Sequence, residues 1–137
     1  DEAIKCDSGN VNTAFYRGVV LGKMKKHEEA LNCFENIYRK HPKHMDAFFH
    51  KGMELAELGK HERALEIFDK LFQMHEGNVN VIYAMARSNA AMNNVGRALY
   101  LLEQAVKKDR KTIKKWALED EFFDSLQDEP KFTRLIK

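Results

Sequence analysis

The stretch KHEEALNCFENI at 26–37 is followed by KHERALEIFDKL at 60–71, nearly the same twelve residues written again 34 positions later. In the first copy Ala30, Leu31, Phe34, Ile37 and Tyr38 fall at i, i+1, i+4, i+7 and i+8. In the second, Ala64, Leu65, Phe68, Leu71 and Phe72 do the same. That spacing places one broad apolar stripe along a helix with 3.6 residues per turn. A third copy follows after the same interval, with Ala98, Leu99, Leu102, Ala105 and Val106.

The register extends upstream of each copy. Ala14, Phe48 and Ile82 align, as do Gly18, Gly52 and Ala86, then Leu21, Leu55 and Asn89. Three gapless units, 11–44, 45–78 and 79–112, result, each predicted to hold two antiparallel helices. Within a unit, the small residue of the first helix (Gly18, Gly52 or Ala86) is expected to face the small residue of the second (Ala30, Ala64 or Ala98). Breaks are predicted near Lys25–Lys26, Gly59–Lys60 and Asn93–Asn94, then near His41–Pro42, Gly77–Asn78 and Asp109–Arg110. Pro42 disfavours helical geometry at His41 and ends that helix.

A 34-residue helix–turn–helix unit with an Ala-x3-Phe core resembles the tetratricopeptide repeat, or TPR. Unit two carries most of the pattern in Phe48, Gly52, Leu55, Gly59, Ala64, Phe68 and Leu71, with Glu76 where the motif has a closing proline. Unit one has that proline as Pro42 but Ala14 at the aromatic position, and unit three is the most degenerate. The resemblance covers roughly three quarters of the chain and implies an all-α, right-handed superhelical solenoid of antiparallel helix pairs. It also implies a non-catalytic scaffold or adaptor for protein–protein interaction.

Two flanks complete the organisation. DEAIKCDSGN at 1–10 aligns with the end of a unit, Ala3 standing where Ile37 stands and Ser8 where Pro42 stands. It is read as the end of a truncated preceding repeat. Residues 113–137 are read as a partial fourth unit, opening near Trp116, with capping helices behind it. Solenoids need such an end to cover the last apolar face. Asp128 followed by Pro130 marks the predicted start of the final helix, as a side-chain cap and a proline in the first turn.

Composition excludes several classes. A net charge of +2 is too near zero to call for a polyanionic partner, and no run of 18 apolar residues exists to span a membrane. With only two prolines and seven glycines, a β-sandwich lacks its turns. Cys6 and Cys33 form no CxxC pair and are expected as free thiols, which points to a reducing, cytoplasmic compartment.

Catalytic and metal motifs fail on inspection. HEEAL at 27–31 and HERAL at 61–65 start like H-E-x-x-H, but Leu31 and Leu65 replace the second ligand. GVVLGKM at 18–24 lacks the spacing of a phosphate loop. His41, His44 and His50 are read as surface histidines. No catalytic residue, metal site or cofactor is expected. The basic run KKDRKTIKK at 107–115 is read as a solvated turn between helices, with RNA binding kept as an alternative function.

The family resemblance directs attention to the first helix of each unit, whose positions 2, 5, 6 and 9 line a concave groove. Position 5 is Phe15, Phe49 and Tyr83; position 9 is Val19, Met53 and Arg87; position 6 is Tyr16, His50 and Ala84. An aromatic ladder beside a methionine suits an apolar or amphipathic peptide, because aromatics bring large area at low entropy cost and Met adapts. Phe15, Tyr16, Val19, Phe49, His50, Met53, Tyr83 and Arg87 are therefore the expected partner-binding residues, with Arg87 placed to hold a carboxylate. The competing reading is that the aromatics fill space between neighbouring helices. A chaperone-tail carboxylate clamp is not expected: its Lys, Asn, Asn, Lys and Arg positions hold Phe15, Val19, His50, Asn80 and Ala84. A regulatory or targeting role within a larger, enzymatic protein, and self-association through the N-terminal face, stand as alternatives.

Overall fold

The computed structural model describes residues 10–137, so the expectations for Ala3, Cys6 and Ser8 lie outside the described residues. Among them every element is helical. They are α1 (Val11–Lys23), α2 (His27–Lys40), α3 (Met45–Glu57), α4 (His61–Met74), α5 (Val79–Ala91), α6 (Val95–Lys108), α7 (Arg110–Glu119), a 3-10 helix (Glu121–Leu126) and α8 (Pro130–Ile136). First helices begin at Val11, Met45 and Val79, and second helices at His27, His61 and Val95, so the backbone keeps the 34-residue period of the sequence.

The period reaches down to individual hydrogen bonds. At the end of each first helix, Lys26, Lys60 and Asn94 donate their N–H to the carbonyls of Leu21, Leu55 and Asn89, at 2.9, 2.8 and 2.8 Å. Lys25, Gly59 and Asn93 donate to Gly22, Ala56 and Ala90, each at 3.0 Å. This paired pattern satisfies the last carbonyls of a helix and requires a left-handed residue between them. That residue has φ of 64° at Lys25, 81° at Gly59 and 61° at Asn93. Only the glycine adopts it without steric cost. Starts are capped with the same period: Asn10 and Asn78 each accept two backbone N–H groups on Oδ1, and Nδ1 of His44 accepts from Ala47 at 3.0 Å.

The chain divides into two compact units between Ile67 and Phe68, inside α4. In the first, α2 packs on α1 and on α3. Ala14, Leu21, Ala30, Cys33, Phe34, Ile37 and Ala47 form one buried cluster. Phe34 is fully buried, worth roughly 1.5–3 kcal/mol in removed apolar surface. Gly18 makes this packing close: a Cβ there would sit 2.7 Å from the Phe34 ring and 3.2 Å from Cβ of Cys33. The small residue of α1 thus faces Phe34 and Cys33, one turn beyond the expected Ala30. Helical side chains lean toward the N-terminus, which carries the ring of Phe34 back over Gly18.

Cys33 is disulfide-bonded rather than free. This corrects the free-thiol expectation, and the argument from thiols to a reducing compartment falls with it. Periodicity reports which face a cysteine occupies, not its oxidation state.

In the second unit α6 packs on α5 and α7, the 3-10 helix lies on α5, and α8 contacts α6 and α7. Ile113, Ala117, Phe123, Leu126, Phe132 and Ile136 are buried, so the C-terminal elements carry a core of their own. Two expectations need correction. KKDRKTIKK is not a turn: α6 runs to Lys108, α7 starts at Arg110, and only Asp109 lies between them. Asp109 makes this tight junction by accepting from the N–H of Thr112 at 3.3 Å. The α8 start uses Pro130 at its first position, but its cap residue is Glu129, with no side-chain hydrogen bond, not Asp128. No described helix is long and apolar enough to cross a membrane.

Candidate functional site

The eight expected binding residues divide into four groups. Val19, Phe49 and Met53 come together. α1 presents Val19 and α3 presents Phe49 and Met53, one turn apart, on a cleft of about 370 Å³ within the first unit. All three are half-buried, leaving apolar surface at the cleft wall. Lys23 and Lys25 border it from the α1 end and Glu57 from α3, giving the apolar wall a charged rim of both signs.

His50 also lines the cleft, and Phe15 stands behind it. The His50 ring stacks on Phe34 at 5.1 Å and meets Phe15 and Phe49 edge-on at 5.1 and 5.7 Å. Phe15 also meets Phe34 at 5.6 Å and His44 at 5.4 Å. His50 is therefore no surface histidine. Burial lowers its pKa below the ordinary histidine value, opposed by Asp46 and reinforced by His44. A neutral imidazole serves here as a fourth aromatic ring that fixes Phe49. The structure joins the two sequence readings of the aromatics: Phe15 packs inward while Phe49 reaches the cleft.

Tyr16 belongs to a different surface. It lies on the solvent side of α1 with Thr13, Arg17 and Val20.

Tyr83 and Arg87, the equivalents of Phe49 and Met53 in the third unit, are 7% and 9% exposed. Asp120, at the start of the 3-10 helix, accepts from the Tyr83 hydroxyl at 2.7 Å and from Arg87 Nε at 2.6 Å on the same oxygen. Its other oxygen accepts from Arg87 Nη2 at 3.4 Å and from the Phe122 N–H at 3.0 Å. The Phe122 ring covers the guanidinium at 3.9 Å, and Trp116 and Phe123 meet the Tyr83 ring edge-on. Burial and then the Asp120 carboxylate push the Tyr83 phenol upward, so it stays protonated and donating. The carboxylate that Arg87 was expected to hold in a partner is here a side chain of its own chain.

The cleft contains two polar residues that sequence reading overlooked. Nδ1 of His27 lies 2.7 Å from Oε1 of Glu54, and both are largely buried. Glu54 reaches between the helices because α1 has Gly22 opposite it: a Cβ on Gly22 would meet the carboxylate at 2.7 Å. Burial raises the Glu54 pKa, against the lowering effect of His27. The signal was present: Glu54 puts an acid at a repeat position that holds the uncharged Val20 and Ser88, and the His27 of the rejected HEEAL motif is its partner. Among the described residues no three His, Cys, Asp or Glu side chains could together hold a metal ion. What the cleft offers is an apolar wall, a buried acid–imidazole pair and lysines at one end, a combination suited to binding.

Two tetratricopeptide repeat family models match the chain, over residues 17–78 and 55–119, together spanning 17–119. Among solved structures, MamA (residue 41 to the end) from Desulfovibrio magneticus RS-1 superposes with a TM-score of 0.68 at 14% identity, over 92% of this chain and 73% of that one. YrrB, a TPR protein with an unusual peptide-binding site, gives 0.65 at 18% identity, over 90% of this chain and 64% of that one. No curated protein sequence matches. At these identities the structures bear on the fold alone, and they agree with the family models and with the 34-residue backbone period. The chain belongs to the tetratricopeptide repeat family.

Proposed function

We propose that the chain is a non-catalytic adaptor that binds a peptide or helical segment of a partner protein in the α1–α3 cleft. The TPR fold is a protein–protein interaction module, and a peptide is the ligand of the structurally similar YrrB. One observation carries the reading: Val19, Phe49 and Met53 leave apolar surface exposed on a single cleft, whereas Tyr83 and Arg87 at equivalent repeat positions are covered. Phe49 and Met53 are the anchors, Val19 the facing wall, and His50 and Phe15 hold Phe49 in place. Lys23 and Lys25 favour a ligand with acidic character at that end.

Random-peptide selection on the intact chain, followed by titration of the selected peptide, tests this. Phe49→Ala or Met53→Ala is expected to weaken affinity by about 5–30-fold, the 1–2 kcal/mol of a buried anchor. Unchanged affinity with lowered stability would make both residues packing residues only.

A further inference from the structure

Glu54 is the one acid at its repeat position, where the neighbouring units hold Val20 and Ser88. It lines the α1–α3 cleft with a side chain only 10% exposed, and its two oxygens differ. An ionised carboxylate can only accept hydrogen bonds, so Oε1 takes the Nδ1–H of His27 at 2.7 Å. Oε2 rests above Gly22, which lines the same cleft and has no side chain to displace it. Among the described residues nothing donates to Oε2. Nor, among them, is any side-chain oxygen both fully buried and unpartnered, so Oε2 stays open to the cleft. Burial disfavours the ionised carboxylate, and Glu57, one turn on along α3, adds like-charge repulsion. A cation at Oε2 opposes both effects, because an opposite charge favours the ionised form.

Geometry selects the kind of cation. With Oε1 already held by His27, Glu54 cannot offer both oxygens to the fork of a guanidinium. A single open oxygen matches the point charge of an ammonium. The aliphatic stem of a lysine can lie along Phe49 and Met53 while its head reaches the acid. We infer that Glu54 sets the specificity of the cleft, accepting at Oε2 from an ammonium group of the bound segment, while His27 and Gly22 position the carboxylate. That ammonium belongs to a lysine side chain or to a peptide N-terminus. The inference rests on the cleft being the binding site. It adds a contact opposite in sign to the one expected at Lys23 and Lys25.

Peptides are selected on the intact chain from two random libraries, one N-acetylated and one with free N-termini, and titrated singly. Those from the acetylated library are expected to carry a lysine beside an apolar residue. Binding lost when a free-amine peptide is acetylated would assign the ammonium to the N-terminus and support the inference equally. Glu54→Gln keeps the size of the side chain and removes its charge, and is expected to weaken these peptides at least about tenfold. Gly22→Ala, whose methyl takes the space of Oε2, should weaken them in the same direction. A peptide with its lysine replaced by norleucine should bind the wild-type chain as weakly as it binds Glu54→Gln. Undiminished binding of the norleucine peptide to the wild-type chain would overturn the inference. So would equal affinity of the lysine peptide for the wild-type chain and Glu54→Gln; if Phe49→Ala still weakened it, the cleft would remain the binding site. Full affinity in Phe49→Ala as well would remove the cleft reading and this inference with it.

Discussion

Phe49 and Tyr83 hold the same place in successive repeats, yet Phe49 borders an open cleft and Tyr83 is buried beneath Asp120 and the 3-10 helix. The same contrast holds one turn on, between Met53 in the cleft and Arg87 in an ion pair. Repeat position thus determines where a side chain points. What the chain supplies next decides whether that side chain meets a partner or a cap. In the second unit, a segment outside the repeat pattern has filled the place that the first unit leaves open.

The contrast can be broken most forcefully at Asp120. The side chains of the Arg87–Asp120 pair are each 11% exposed, so Asp120→Ala removes the carboxylate that pairs with a buried guanidinium and accepts from the Tyr83 hydroxyl. A loss of about 3–5 kcal/mol in urea unfolding is expected. A loss under about 1 kcal/mol would mean that the pair is a solvated surface contact. The paired substitutions Tyr83→Ala and Phe49→Ala sharpen the comparison directly. Removal of the buried ring should cost about 3–5 kcal/mol, as for other buried aromatics, and removal of the half-exposed one about half that or less. Equal costs would erase the distinction between the units.

Smaller effects examine the repeat itself. Gly18→Ala pushes a methyl into the Phe34 ring and is expected to cost about 1–3 kcal/mol by overpacking. At the three left-handed turns, Lys25→Gly should stabilise by about 1 kcal/mol, because Gly59 already occupies that conformation without strain. Unchanged stability there would show that Lys25 has a compensating contact.

A last test concerns the Glu54–His27 pair. Burial raises the folded-state pKa of Glu54 above its unfolded value, so the folded chain binds more protons in that range. Stability from this group is complete below the ordinary glutamate pKa and declines as pH rises through the raised one. Glu54→Gln should remove that decline, visible as a flatter stability–pH curve between weakly acidic and neutral pH.

Much of this molecule was legible in the spacing of small and apolar residues. Ala30, Ala64 and Ala98 are all fully buried, and the helices start on the predicted period, because a solenoid repeats its local packing as well as its sequence. Long-range partners were harder to read. Asp120 binds Tyr83 and Arg87 across 37 and 33 residues, and no repeat offset connects them. The basic run at 107–115 gave no sign of a single-residue helix junction, since charged side chains serve an exposed helix face as well as a turn. The state of Cys33 was equally illegible. Glu54 was missed because an acid at a repeat position otherwise held by Val20 and Ser88 looks like tolerance unless the glycine and histidine opposite it are read together.

The central claim is that the first unit's cleft, and not its capped counterpart, binds the partner. Titration of one selected peptide into the wild-type chain, Phe49→Ala and Tyr83→Phe decides it most directly. The account predicts that Phe49→Ala weakens binding by about 5–30-fold with a smaller loss of stability than Tyr83→Ala, while Tyr83→Phe, which deletes only the hydroxyl bonded to Asp120, lowers stability and leaves affinity unchanged. Full affinity in Phe49→Ala, with binding lost in Tyr83→Phe, would contradict it.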